Sequence, residues 1–301
     1  MDKDQIQEIK NIILGGTVLE NEPMERHTTF RIGGPAELWV EPEAEEIEPL
    51  VKHLRTRDIP FCVMGNGSNL LVSDEGIQGV VISIGSKTEE IEAEGEVITA
   101  EAGVLLSKLA GFAAKRSLSG LEFASGIPGS LGGAVVMNAG AYGGEMKDVI
   151  TEVSVLTEEG IRTYSAEEME FSYRHSRVME EGGIILSAKM RLVPGSEAEI
   201  LARMSELNER RREKQPLNYP SAGSTFKRPE GYFAGKLIQD AGLLGYRVGD
   251  ACVSEKHGGF VVNCGHATAT DVYNVIRDVQ AKVQETFGVT LEPEVRLMGR
   301  F

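Results

Sequence analysis

Apolar residues recur along this chain with two alternating periods, near 3.6 and near 2, and the alternation predicts an α+β fold. Ile6, Ile9, Ile12 and Ile13 fall at helical spacing ahead of Gly15-Gly16, which predicts an amphipathic helix closed by a glycine cap. β-type runs follow at Ala36 to Val40, Phe61 to Met64 and Val80 to Ile84, with a helical stretch around Leu50 to Arg55. The pattern restarts with a strand at Val97, a Leu- and Ala-rich helix over Leu105 to Arg116, and strands at Val153 to Leu156 and Ile184 to Leu192. Ser196 and Glu199 have the spacing of a capping box, and Ile200, Met204 and Leu207 stripe the helix behind them until Pro216 stops it. The clearest helix begins near Thr270, carries Val272, Val275, Ile276, Val279, Val283 and Phe287 on one face, and ends at Gly288.

These restarts suggest boundaries near residues 85 and 195, so the expected domains are 1–85, 86–195 and 196–301. A chain of 301 residues is long enough for two or three cores. Its 41% hydrophobic and 26% charged residues are those of an ordinary soluble protein. No apolar run approaches the roughly 20 residues that span a bilayer, and the N-terminus opens an acidic helix rather than a signal peptide, so a cytoplasmic address is expected.

A formal net charge of −15 argues against a nucleic-acid partner, which needs clustered cations. Between Arg203 and Lys256, however, ten basic residues face seven acidic, a balance that suits a small phosphorylated ligand. Cys62, Cys252 and Cys264 form no C-x-x-C pair and are expected to be buried packing residues. The five histidines lack H-E-x-x-H spacing, and no metal is expected.

Two glycine-rich loops bring in chemistry. Gly65-Asn-Gly-Ser-Asn69 directly follows the Phe61 to Met64 run, where glycines let backbone N–H groups converge on a phosphate. Position 70 is Leu, so the third glycine of a Rossmann fingerprint is missing, and Leu70 to Val72 looks like more strand. The second loop, Gly126-Ile-Pro-Gly-Ser-Leu-Gly-Gly133, runs on through Asn138-Ala-Gly-Ala-Tyr-Gly-Gly144, with seven glycines in nineteen residues. Either loop alone could be a set of tight turns. Together they point to a dinucleotide-like cofactor.

Six ordered motifs now stand on the page: Thr29-Phe-Arg-Ile-Gly-Gly34, the two glycine loops, Tyr173-Arg-His-Ser176, Ala222-Gly-Ser-Thr-Phe-Lys227 and Leu291-Glu-Pro-Glu-Val-Arg296. In that order they resemble the UDP-N-acetylenolpyruvoylglucosamine reductase family across nearly the whole chain. The resemblance implies a two-part FAD-binding fold of the vanillyl-alcohol-oxidase type plus a C-terminal α/β substrate domain. It also implies a noncovalent FAD, NADPH as hydride donor and a UDP-linked amino sugar as substrate, reduced to UDP-N-acetylmuramate for peptidoglycan. FAD is then expected at Gly65, Asn66, Gly67, Ser68, Asn69, Gly126, Ser130, Gly132 and Gly133.

The same resemblance assigns three chemical roles. Hydride addition to C3 of an enolpyruvyl group leaves negative charge at C2 and its carboxylate, which calls for preorganised donors and then a proton. Arg174 matches the position facing that carboxylate, where a planar guanidinium fits. Glu294 matches the acidic partner in enolate stabilisation, a task that needs a protonated or hydrogen-bond-polarised carboxyl. Ser224 matches the proton donor to C2, and a serine must do this by position and relay. Tyr142, Lys214 and Lys227 match positions that contact the sugar nucleotide, while Arg228 replaces a smaller amide of some relatives. The short interval between Arg174 and Ser224 places the chain with a subclass lacking an inserted, tyrosine-bearing loop.

Two alternatives remain at this point. An FAD-dependent oxidase of an alcohol or sugar would share the flavin motifs, and a noncatalytic nucleotide-binding protein would share the glycine loops.

Overall fold

The computed structural model describes residues 1–301. The N-terminal helix is Lys3–Ile12, opened by a reciprocal cap between Asp2 and Gln5. It does not close on glycine. Ile13 ends it in an extended conformation, because the N–H groups of Leu14, Gly15 and Gly16 turn to the Glu46 carboxylate at 2.5, 2.7 and 3.0 Å. Glu46 lies in the first turn of the helix Ala44–Thr56, six residues earlier in onset than the apolar pattern predicted.

Packing divides the chain into two units, one of Met1–Leu19, Trp39–Asn66 and Val81–Arg211, the other of Glu20–Leu38, Gly67–Val80 and Arg212–Phe301. A four-stranded sheet is ordered Thr17–Pro23, Pro35–Glu41, Ile77–Ser83, Phe61–Met64. In the first unit a five-stranded antiparallel sheet runs Ile161–Ser165, Ile150–Leu156, Ile184–Arg191, Val97–Glu101, Ile91–Glu94. Val153 and Val155 are buried on either side of half-exposed Ser154, the period-2 burial of a sheet with one covered face.

In the second unit the sheet Arg247–Val248, Ala251–Val253, Val261–Asn263 packs on the helix Ala269–Phe287. That helix starts from a reciprocal cap between Thr268 and Asp271 and stops at Gly288 with φ +69°, as its pattern predicts. Val272, Val275, Ile276, Val279 and Val283 are buried, whereas Phe287 in the last turn is 39% exposed. Leu70–Val72 is a strand, paired in parallel with Arg296–Met298.

The cysteines differ from expectation. All three are only partly buried, because Cys252 and Cys264 lie on the outer face of the second unit's sheet rather than against its helix. No helix is long and apolar enough to cross a membrane.

Candidate functional site

In the first unit the start of one glycine loop, Gly65-Asn66, meets the other. The strand Phe61–Met64 delivers Gly65 against Ser130, so closely that a Cβ at Gly65 would lie 2.1 Å from Ser130 Oγ. Asn66 Nδ2 donates to Pro128 O at 2.6 Å and ties the loops. Ser130 is 3% exposed and its hydroxyl has no hydrogen-bond partner. A buried unpaired hydroxyl costs roughly 1–3 kcal/mol, which a ligand oxygen would recover. These residues fit a flavin nucleotide, since bare backbone at Gly65 leaves an acceptor-seeking hydroxyl beside a phosphate-type loop. Gly132 serves otherwise in the fold: its N–H donates to Ala102 O at 2.8 Å, and a Cβ would stand 2.9 Å from Ala102 Cβ. Gly133 is exposed.

Gly126 is held by the helix Glu197–Lys214, whose Arg211 donates to Gly126 O and whose Asn208 reaches Ser125 Oγ at 3.3 Å. Burial lowers the Arg211 guanidinium's affinity for its proton, and the nearby Tyr142 phenol opposes that shift.

Tyr142 and Arg174 share one anchor in this unit. Tyr142 is exposed, with φ +54°, in the hairpin joining Gly140–Ala141 to Gly144–Glu145. Arg174, also at φ +54°, sits in a two-residue turn closed by mutual 3.2 Å backbone bonds between Ser172 and His175. Positive φ at a side-chain-bearing residue costs about 1–2 kcal/mol, so the surrounding structure must enforce it. Asn138 does so: buried, it donates to Glu145 Oε2 at 2.6 Å and to Ser172 O at 3.0 Å, and accepts from Lys147 N at 2.9 Å. Ser176, fully buried, adds a bond to Val136 O at 2.8 Å. The Arg174 guanidinium lies 5.0 Å from the Tyr173 ring centre.

In the second unit one threonine organises the chemistry. Thr225 is fully buried; its N–H donates to Gly259 O at 2.8 Å and its hydroxyl accepts from Val261 N at 2.9 Å. Its carbonyl accepts the Glu294 N–H at 2.8 Å, so Ser224, its chain neighbour, and Glu294 are brought together. Asn69 Nδ2 donates to Glu294 O at 3.0 Å, and Thr29 bonds both Gly67 O and Ser221 O, so four of the motifs converge here. Ser224 is exposed and Glu294 half-buried.

Lys227 stands one rung further, its N–H on Glu292 O at 2.8 Å and its ammonium 3.1 Å from the Glu292 carboxylate. Lys214 is exposed at its helix end. Arg228 stacks on Phe233, 4.0 Å from the ring centre, and donates to Tyr232 O at 3.3 Å, which gives it a structural place. A cavity of about 630 Å³ in this unit, between Arg26, Arg31, Tyr219 and His266, contains none of the predicted site residues.

Sequence reasoning missed Asn138, Ser176, Arg211 and Thr225. Asn138 alone left a signal, as a polar residue inside a glycine-rich run where left-handed backbone is common.

Comparison with known proteins fits this geometry. Residues 37–164 match the FAD-binding domain family, and residues 215–298 match the C-terminal domain of UDP-N-acetylenolpyruvoylglucosamine reductase. The UDP-N-acetylenolpyruvoylglucosamine reductase of Agathobacter rectalis is 58% identical over 94% of this chain and 95% of its own. That of Caldanaerobacter subterraneus subsp. tengcongensis is 54% identical over 98% of each. The crystal structure of the Thermus caldophilus reductase superposes with TM-score 0.81 at 38% identity, over 94% of this chain and 99% of that one. An alkyldihydroxyacetonephosphate synthase, 17% identical with TM-score 0.50 over 64% of this chain and 41% of its own, shares the fold alone. The expected two-part flavin fold is thereby borne out, and the chain belongs to the UDP-N-acetylenolpyruvoylglucosamine reductases, FAD-binding oxidoreductases.

Proposed function

We propose that this chain takes electrons from NADPH, and that Arg174, Ser224 and Glu294 carry out the reduction of the enolpyruvyl group. The observation that supports the reading is the Thr225 knot, which brings the backbones of Ser224 and Glu294 together. The bound flavin would supply the hydride that adds to C3. Arg174 receives the substrate carboxylate, its charge permanent and its turn held by Asn138. Glu294 stabilises the enolate-like charge as a hydrogen-bonded carboxyl, and its backbone is fixed at both N–H and carbonyl. Ser224 gives C2 its proton and, being exposed, can be resupplied from water.

Gly65 to Asn69, with Gly126, Ser130, Gly132 and Gly133, hold the flavin; Tyr142, Lys214 and Lys227 hold the sugar nucleotide. Residues 1–85 and 86–195 are the two flavin-binding parts and 196–301 the substrate domain. The work belongs to the cytoplasm, where UDP-sugars are made.

The test mixes yellow protein with NADPH without oxygen, then adds the UDP-enolpyruvyl sugar. Bleaching followed by substrate-driven recovery of colour is expected. Bleaching with no recovery would favour an oxidase, and colourless protein a noncatalytic binder.

A further inference from the structure

The mechanism uses none of the cysteines, yet two of them touch. On the outer face of the second unit's sheet, Arg247 stands opposite Cys252, and Cys252 opposite Val262. Cys264 lies two residues beyond Val262 and therefore on the same face. Its sulfur is 2.7 Å from that of Cys252, and the Arg247 guanidinium lies beside both thiols. Cys264 also lines the cavity of about 630 Å³, beside Gly265 and His266, so a small reagent can reach it.

We propose that Cys252 and Cys264 form an oxidisable dithiol, a modification site that takes a low-molecular-weight disulfide and closes to an intramolecular cross-link. Cys264, on the cavity, attacks one sulfur of the small disulfide. The S–S bond breaks, one small thiol leaves with the proton from Cys264, and a mixed disulfide remains. Cys252 then attacks the Cys264 sulfur and expels the second small thiol, which takes the proton from Cys252. The cysteine pair loses two electrons and the small disulfide gains them.

The geometry favours the second step, because the resolving sulfur is already in contact and the sheet register holds it there. Arg247 supplies positive charge where thiolate develops. Burial, and then the bond to Cys264, push the Cys252 thiol up to about 12 against the pull of Arg247, which suits Cys252 to resolve rather than to attack first. Cys62, pushed up to about 11 by burial, is the unreactive internal control.

The experiment incubates the folded, full-length protein with excess oxidised glutathione at neutral pH, alkylates remaining thiols and maps peptides by mass. The expected map joins the Cys252 and Cys264 peptides with the loss of two hydrogens, leaves Cys62 alkylated, and reverts on reduction. In Cys252→Ser, Cys264 should instead retain glutathione as a lasting adduct. Recovery of both cysteines alkylated, or of separate glutathione adducts on each, overturns the proposal. Should the variant fail to fold, the wild-type map decides alone.

Discussion

The candidate residues of the two units are set in the fold in opposite ways. In the first unit the glycine loops work by lacking side chains: Gly65 leaves room for Ser130, and Gly132 lets a helix lie on Ala102. In the second, Ser224 and Glu294 would, in the proposed reading, act through side chains, and the buried Thr225 ties the backbone of one to the other. A cofactor used for every turnover can be held by bare backbone, whereas transient charge on a substrate needs groups aimed at one atom. The first region should therefore fail by steric filling, with loss of binding, and the second by deletion, with loss of rate.

The largest effect should come from deletion in the second region. Ser224→Ala is expected to lower turnover about 10²- to 10⁴-fold, the range of a lost general acid, while NADPH still bleaches the flavin at the wild-type rate. Stopped-flow measurement of the two half-reactions separates these. Slowing of the NADPH step instead would put Ser224 on the cofactor side and collapse the distinction.

Filling should break the first region. Gly65→Ala places a methyl group 2.1 Å from Ser130 Oγ, and FAD affinity is expected to fall by about tenfold or more, roughly 1.4 kcal/mol. Adding Ser130→Gly to the same chain removes the clash. If the double variant binds FAD more weakly than Gly65→Ala alone, the serine hydroxyl rather than the space dominates; fluorescence titration of released FAD reads the difference.

Asn138 tests whether the first unit also holds an aimed group. Asn138→Ala removes the tie between the Tyr142 hairpin and the Arg174 turn, and about a tenfold rise in KM with a smaller fall in kcat is expected from a loosened arginine. Asn138→Asp keeps the acceptor for Lys147 N but sets an oxygen against the Glu145 carboxylate and the Ser172 carbonyl, so it should not restore KM. A purely structural role would lower Tm in both variants and leave the KM of surviving enzyme unchanged.

How much of this was legible follows from the same contrast. Glycine loops are local, so Gly65 and Gly126 to Gly133 could be read as a cradle from spacing alone, as could the helix that Gly288 caps. The Ser224–Glu294 juxtaposition depends on a bridge between Phe226 and Pro293, a pairing distant in sequence that no local period encodes, and it was reached only through family resemblance. Thr225 and Asn138 stayed hidden because a buried polar residue resembles a loop residue until its partners are known. The short strands Ile91–Glu94 and Ile161–Ser165 escaped for another reason: they are largely exposed and so lack apolar alternation.

The smallest predicted effect asks whether backbone-built anion holding is general to the first unit. There the chain occupies such a cradle with its own carboxylate. Burial alone would raise the Glu46 pKa, but N–H groups of Gly15, Glu43, Leu14 and Gly16 outweigh it and the net shift is downward. A carboxylate whose folded pKa is lowered adds stability above its unfolded value, near 4.3, and loses it as pH falls through the folded value. Glu46→Gln should therefore cost about 1–2 kcal/mol at pH 7, with the gap to wild type closing as pH falls through the lowered folded value. Urea unfolding at a series of pH values measures this. A gap independent of pH would mean that Glu46 holds the Leu14 to Gly16 turn by shape rather than charge, and that this unit's liking for anions ends at its glycine loops.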